Sequence, residues 1–312
     1  MTVTPRDRMM GRVGVLIAAI LWGTTGTAAT FAPAVSAVAI GAVAMGLGGL
    51  LQAMIAAGSI ISYVDKLLQQ WRLLLIGVIA VAIYPLAFYA SMHLAGVTVG
   101  TVISIGSAPL LSALIEYVLE GERLTTRWML GAALGIAGMV LLCMAESGGH
   151  GTLVQSLNVT IGVILGLLAG FTYALYSWAA RRLMQRGLPS RTAMGAIFGL
   201  GGILLMPVLL MTGAPLLESW SNAAVGAYMA LVPMFLGYIC YGYGLARITA
   251  SMATTITLIE PVIAAILAVI IVGERLPITG WVGIGLVVAC LIFITVPIKC
   301  ALIVRVRENN SL

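Results

Sequence analysis

The chain has 312 residues; 61% are hydrophobic, only 8% are charged, and the net charge is +6. Soluble domains average about a quarter charged residues, so this composition excludes a soluble enzyme, a nucleic-acid-binding module and a disulfide-stapled secreted domain. Apolar runs of about 20 residues recur from end to end, each long enough to cross a hydrocarbon layer about 30 Å thick, and the chain reads as a polytopic membrane protein.

Taken in order, the runs predict ten spans, near 12–30, 34–57, 73–93, 97–119, 128–145, 159–180, 192–212, 223–245, 250–272 and 279–298. They must be helices, because a segment in hydrocarbon has to satisfy its own backbone polar groups. A barrel would show strands of about ten residues with alternating polarity, and no such pattern is present. The expected fold class is therefore an all-α integral membrane protein with ten transmembrane helices. With the N-terminus in the cytoplasm, fifteen of the sixteen Lys and Arg residues fall on the inner side and only Arg275 on the outer. This positive-inside asymmetry predicts that both termini are cytoplasmic; the membrane is expected to be a bacterial-type inner membrane. The short basic N-terminus resembles a signal-peptide n-region, but the apolar run after it is too long and reads as the first span. Cys143, Cys240, Cys290 and Cys300 fall in or beside spans without paired spacing, which points to packing rather than to a disulfide framework or a zinc site.

The two halves are related. Leu111–Leu124 reads LSALIEYVLEGERL and Ile263–Leu276 reads IAAILAVIIVGERL. At a constant offset of 152, Pro109 aligns with Pro261, Gly121-Glu122-Arg123 with Gly273-Glu274-Arg275, and Gly131 with Gly283. An internal duplication follows, with units 1–150 and 151–312. Five spans per unit is an odd number, so the second unit enters the membrane inverted. Inverted repeats are a recurring architecture of secondary transporters.

The paired GER-Leu segments, Leu21-Trp22-Gly23 in span one and Glu260-Pro261-Val262 in span nine resemble the drug/metabolite transporter superfamily in its EamA-like branch. The resemblance covers essentially the whole chain. It implies a ten-helix basket around a central cavity and a function in exporting amino acids, related metabolites or drugs. The family often carries an arginine early in its second span; Val13–Trp71 contains none, so no role of that arginine transfers.

Glu260 is the sharpest candidate residue. It stands mid-span, where an ionised carboxylate costs at least about 2.5 kcal/mol, directly before Pro261, which leaves a carbonyl one turn earlier without its donor. It reads either as a proton-coupling or substrate-amine site, or as a structural carboxyl packed against threonines such as Thr255 and Thr257 or held in an ion pair with no transport role. Its mate in the first repeat is Ala108, so the halves are chemically unequal. Trp22 alone among six tryptophans lies in mid-span; Trp71, Trp128, Trp178, Trp220 and Trp281 fall near span ends, where an aromatic belt is expected. Tyr84 and Phe88, Tyr173 and Tyr176, and Tyr238 and Tyr241 recur at helical spacing and with Trp22 form the candidate wall of a substrate cavity, or ordinary packing. That cavity is expected among spans one, three, four, six, eight and nine. Pro109 and Pro261 are the candidate helix breaks. Glu116 and Glu120 are expected to snorkel to the cytoplasmic interface beside Arg123.

Enzymatic alternatives lack their residues. The two histidines, His93 and His150, sit in no HExxH, there is no GxSxG, and Asp7 and Asp65 lie outside the spans. No lysine follows a glycine, so no phosphate-gripping loop is present. The expected partners are a small-molecule substrate, protons and the lipid bilayer, with no nucleic acid, no metal and no cofactor. Proton antiport and facilitated diffusion stay equally open at this point, as does the oligomeric state.

Overall fold

A computed structural model describes residues 4–95, 97–121, 123, 125–146, 153–273 and 277–295. Among the described residues the protein is all-helical and contains no strand. The chain runs through α1 (Pro5–Gly23), α2 (Thr25–Ala29), α3 (Ala37–Ser62), α4 (Val64–Gln69), α5 (Trp71–Ala95), α6 (Val97–Glu120) and α7 (Thr126–Glu146). It continues through α8 (Leu153–Gln185), α9 (Ser190–Thr212), α10 (Trp220–Met229), α11 (Gly237–Leu245), α12 (Ala250–Ile256), α13 (Glu260–Leu267) and α14 (Ile278–Thr295). Eight helical stretches among the described residues are long and apolar enough to cross a membrane, and Thr126–Leu141 and Ile278–Ile294 are shorter apolar helices. Leu114, Ile164, Ile203 and Ile270 are among many large apolar side chains left exposed, a surface of the kind that a bilayer covers.

Local chemistry sets the starts. Thr4 and Asp7 form a reciprocal capping box ahead of Pro5 at the first position of α1, the arrangement that satisfies otherwise orphaned N–H groups. Ser36 caps α3 through Ala39 N–H at 3.2 Å. The most extensive helix pairs are α3 with α9, α5 with α8, and α7 with α14; α6 packs on α8 and α12, and α1 packs on α11, α12 and α13. Small residues make these approaches possible. A Cβ on Gly49 would overlap the Phe198 carbonyl, and one on Gly202 would stand 2.7 Å from the Gly46 oxygen.

Gly121 and Gly273, the glycines of the two GER triplets, both adopt left-handed backbone, with φ of 70° and 81°. Among the described residues beyond its chain neighbours, neither meets an atom within 4 Å of where a Cβ would stand, so the backbone conformation calls for glycine. Glu122, Leu124, Glu274, Arg275 and Leu276 lie outside the described residues, as do Lys299, Arg305 and Arg307.

The stretch expected as span nine is broken: α12 gives way to a 3-10 turn at Thr257–Ile259, α13 opens on Glu260, and a π turn follows at Ala268–Val272. Pro261 sits at the second position of α13, where the missing N–H is not needed. Pro109 is different, lying inside the uninterrupted helix α6.

Two expectations about interfacial residues need correction. Glu116 does not snorkel; it is 2% exposed and accepts the N–H groups of Ala250 at 2.6 Å and Ser251 at 3.3 Å. Thr249 takes the next N–H, from Met252, through its hydroxyl, so the N–H groups of the first three residues of α12 are satisfied before its first intrahelical bond, from Ala253 to the Thr249 carbonyl. Trp128 and Trp178 do not join an outer aromatic belt either. Their indoles are buried and donate to Thr255 and Glu120, whereas Trp71, Trp220 and Trp281 are exposed.

Candidate functional site

The residue that closes α1, Gly23, is a glycine because of what lies behind it. A Cβ there would stand 2.8 Å from the Glu260 carbonyl oxygen and 2.6 Å from the Ile263 Cβ. The backbone of span one thus rests directly on the first turn of α13, and the Leu21-Trp22-Gly23 and Glu260-Pro261 segments, far apart in sequence, meet.

From this junction Trp22 reaches across to the stretch Ala230–Leu236, a π turn containing Pro233. In a regular helix the Gly237 N–H would bond to the Pro233 carbonyl; here it turns to the carbonyls of Val232 and Met234. The Trp22 indole N–H donates to the Pro233 oxygen at 2.9 Å. Gly237 is flush with the indole: a Cβ there would stand 2.8 Å from the indole nitrogen.

All seven aromatic side chains expected in the cavity wall join one connected cluster. Trp22 packs on Tyr238 (ring centroids 4.7 Å apart) and Tyr241 (5.1 Å), while Tyr84 packs on Phe88, Tyr173 and Tyr176 at 5.6–5.8 Å. Such offset and tilted arrangements suit the ring quadrupoles. Hydroxyls beneath the rings are paired: Tyr176 with Tyr238 at 2.8 Å, Ser177 with Tyr241 at 2.8 Å, and Tyr173 donating to Thr257 at 2.9 Å.

Above this layer lies a narrow cavity of about 40 Å³, room for a few water molecules. Trp22, Tyr84, Phe88, Tyr173, Tyr176 and Tyr238 line it, and so does Glu260. Tyr241 does not; it is fully buried behind Trp22 and Tyr173. The expected helix set also changes. Span two contributes Gly41, Ala44 and Met45, and no described residue of α6 lines the cavity. Tyr89, absent from the sequence-based set, enters because Gly41 leaves room for its ring. The i, i+4 spacing that joins Tyr84 to Phe88 passes over Tyr89, which faces a different helix. Phe198 was missed as well; its ring packs 4.3 Å from Tyr238, and its glycine-rich surroundings give no aromatic pairing along its own helix.

Glu260 is partly exposed, and it opens on the cavity. Among the described residues its carboxyl has no hydrogen bond or ion pair. The alternative packing against threonines is not what the geometry gives. Thr255 accepts from Trp128 and donates to the Ser251 carbonyl, and Thr257 accepts from Tyr173 and donates to the Thr254 carbonyl. The site is thus an ionisable group at the start of a broken helix, facing a box of aromatic rings. No group of His, Cys, Asp and Glu side chains suited to a metal ion occurs among the described residues.

Comparison with known proteins gives consistent neighbours. The sequence pattern of the EamA-like transporter family matches twice, over residues 9–144 and 160–296. The chain is similar to YwfM of Bacillus subtilis (strain 168), named an uncharacterized transporter, at 32% identity over 90% of this chain and 92% of that one. It is 26% identical to a "probable terminal-alkyne amino-acid exporter" of Streptantibioticus cattleyicolor, over 88% of this chain and 92% of the relative. It is 27% identical to YedA of Escherichia coli (strain K12), named an uncharacterized inner membrane transporter, over 61% and 60% of the two chains. A solved crystal structure shares the fold with a TM-score of 0.73 at 20% identity, over 91% of this chain and 96% of that one.

Proposed function

Because the chain belongs to the EamA-like transporter family, we propose that it is a secondary transporter exporting amino acids or related amine-bearing metabolites across the inner membrane by alternating access. The observation that carries this reading is the Glu260 carboxyl, unpaired among the described residues and walled by aromatic rings. A carboxylate with ring faces beside it is a receptor for an ammonium group. A proton competing for the same carboxyl links solute release to the proton gradient. The name of the amino-acid exporter among the relatives supports the substrate class and the direction. The cavity is small for any organic solute, which fits a resting form that widens when one repeat moves against the other.

The proposed architecture is ten crossings in two inverted units, 1–150 and 151–312, with both termini cytoplasmic. The helix pairing supports it. Exchanging each span with its counterpart in the other half turns the α5–α8 pair into α11–α1, and the α6–α8 pair into α12–α1 and α13–α1. It returns α3–α9, α7–α14 and α6–α12 to themselves. A two-fold axis in the membrane plane produces such a list. The shared left-handed glycines at the constant offset support it too.

The test is efflux from proteoliposomes preloaded with a mixed pool of amino acids and small amines, with and without an imposed pH gradient, for wild type and Glu260→Gln. Selective, gradient-driven release lost in Glu260→Gln is the expected result. Selective release indifferent to both pH and substitution makes the protein a facilitator and removes Glu260 from coupling. Absence of selective release overturns the substrate class.

A further inference from the structure

A second cavity lies on the other side of Tyr238. It is larger than the central one, about 200 Å³, and is lined by Gln52, Ile55, Ser190, Arg191, Met194, Tyr238, Ile239 and Tyr243. Only Tyr238 belongs to both cavities, so its ring is the wall between them. The wall is held shut by the Tyr176 hydroxyl at 2.8 Å and by the Phe198 ring.

The lining of this cavity is mostly apolar, with Arg191 and Ser190 together at the start of α9. Met194 is 3% exposed, and Ile55 and Ile239 supply further aliphatic surface. Arg191 and Ser190 open α9, at the end of the bundle that carries Arg181, Arg182 and Arg186. Arg191 is exposed and, among the described residues, makes no hydrogen bond or ion pair; the Ser190 hydroxyl likewise has no described partner. Gln52 is 3% exposed and spends one amide hydrogen on the Met234 carbonyl at 3.3 Å, at the level of Tyr238. An unpaired guanidinium and a free hydroxyl at the rim of an apolar pocket suit a planar anion with a hydrocarbon tail.

We propose that this cavity is the loading vestibule for an amphipathic carboxylate, with Arg191 and Ser190 taking the carboxylate and Met194, Ile55 and Ile239 taking the apolar tail. The proposal rests on the transport reading above and sharpens it. A zwitterion is met first by its carboxylate at Arg191, then passes Tyr238 and meets Glu260 with its ammonium group. The preferred substrate is then an amino acid with an apolar side chain, rather than a simple amine.

The experiment uses Met194→Cys in the full chain, in proteoliposomes, with the four native cysteines replaced. Position 194 is buried, so a reagent reaches it through the cavity. Two methanethiosulfonates of similar size, one bearing a sulfonate and one a trimethylammonium group, report the local potential without requiring transport. The anionic reagent is expected to react faster relative to the cationic one. Arg191→Gln should lower that ratio about tenfold and Arg191→Lys should preserve it. Leucine and isocaproate, which share the carboxylate and the tail, are expected to slow labelling, and isoamylamine is not. A ratio indifferent to Arg191→Gln, or equal protection by all three compounds, overturns the proposal. Should Met194→Cys not fold, Ser190→Cys at the rim carries the same measurement. Intact charge selectivity and protection in a protein that moves no leucine would overturn the export reading alone and leave the vestibule standing.

Discussion

The indole of Trp22 and the carbonyl of Pro233 are joined by a buried hydrogen bond of 2.9 Å that spans 211 positions of sequence. It exists because a proline-containing π turn withdraws the usual donor from that carbonyl and because Gly237 has no side chain to hold the indole off. One bond therefore ties span one to the turn that leads into α11, the helix carrying Tyr238, the wall between the two cavities.

Trp22→Phe keeps an aromatic ring and loses the donor, so the buried Pro233 carbonyl loses this hydrogen bond. The expected cost is about 1–3 kcal/mol, read as a lowered thermal midpoint of the purified protein in detergent. Gly237→Ala should destabilise in the same sense by displacing the indole, and combining the two changes should cost less than the sum of the single effects. Additive losses would show that the two positions do not act through one contact.

Glu116 is a second cross-chain tie, holding the first turn of α12 from α6. Glu116→Gln retains one acceptor oxygen and should cost about 1 kcal/mol, while Glu116→Ala strands two buried N–H groups and should cost about 3 kcal/mol or more. Midpoints for the two variants, measured side by side, check the order. Equal midpoints would mean that the carboxyl does not cap the helix.

Gly49→Ala places a methyl group against the Phe198 backbone, which cannot move aside as a side chain would. The α3–α9 contact must separate, at an expected cost of about 1–3 kcal/mol. Gly58→Ala in the same helix meets open space and should be neutral or slightly stabilising through helix propensity. A proteolysis-resistance comparison of the two variants distinguishes a packing effect from a general intolerance of alanine.

Glu260→Gln removes an ionisable group that has no described partner. Folding stability should be unchanged or slightly raised, because no hydrogen bond is lost and the cost of holding a charge away from water disappears. The expected pattern is an unaltered thermal midpoint together with lost gradient-driven efflux. A midpoint lowered by several degrees would make the carboxyl structural.

The positions of the apolar helices and the asymmetry of the basic residues were legible in the sequence. Both are set by properties each segment carries alone, namely a length matched to hydrocarbon and a charge that stays in water. The pairing of Gly121 with Gly273 was legible as a repeated motif, while the left-handed backbone that the two glycines share came from the structure. The aromatic pairs Tyr84 with Phe88 and Tyr173 with Tyr176 were visible because helical spacing puts them on one face, yet the same rule gave no reason to separate Tyr241, buried behind the wall, from Tyr238, within it.

Tertiary structure decided everything that depends on which helix lies opposite. Glu116 looks interfacial by its position along α6, but α12 begins beside it and offers two backbone donors, so burial replaces solvation. Trp128 and Trp178 look like belt residues until Thr255 and Glu120 present acceptors to their indoles. Tyr89 joins the aromatic site through the room that Gly41 leaves in a neighbouring helix, and Phe198 through its ring contact with Tyr238. Hydrophobicity and charge belong to one segment and survive a linear reading; a hydrogen-bond partner belongs to two, and only their approach in space supplies it.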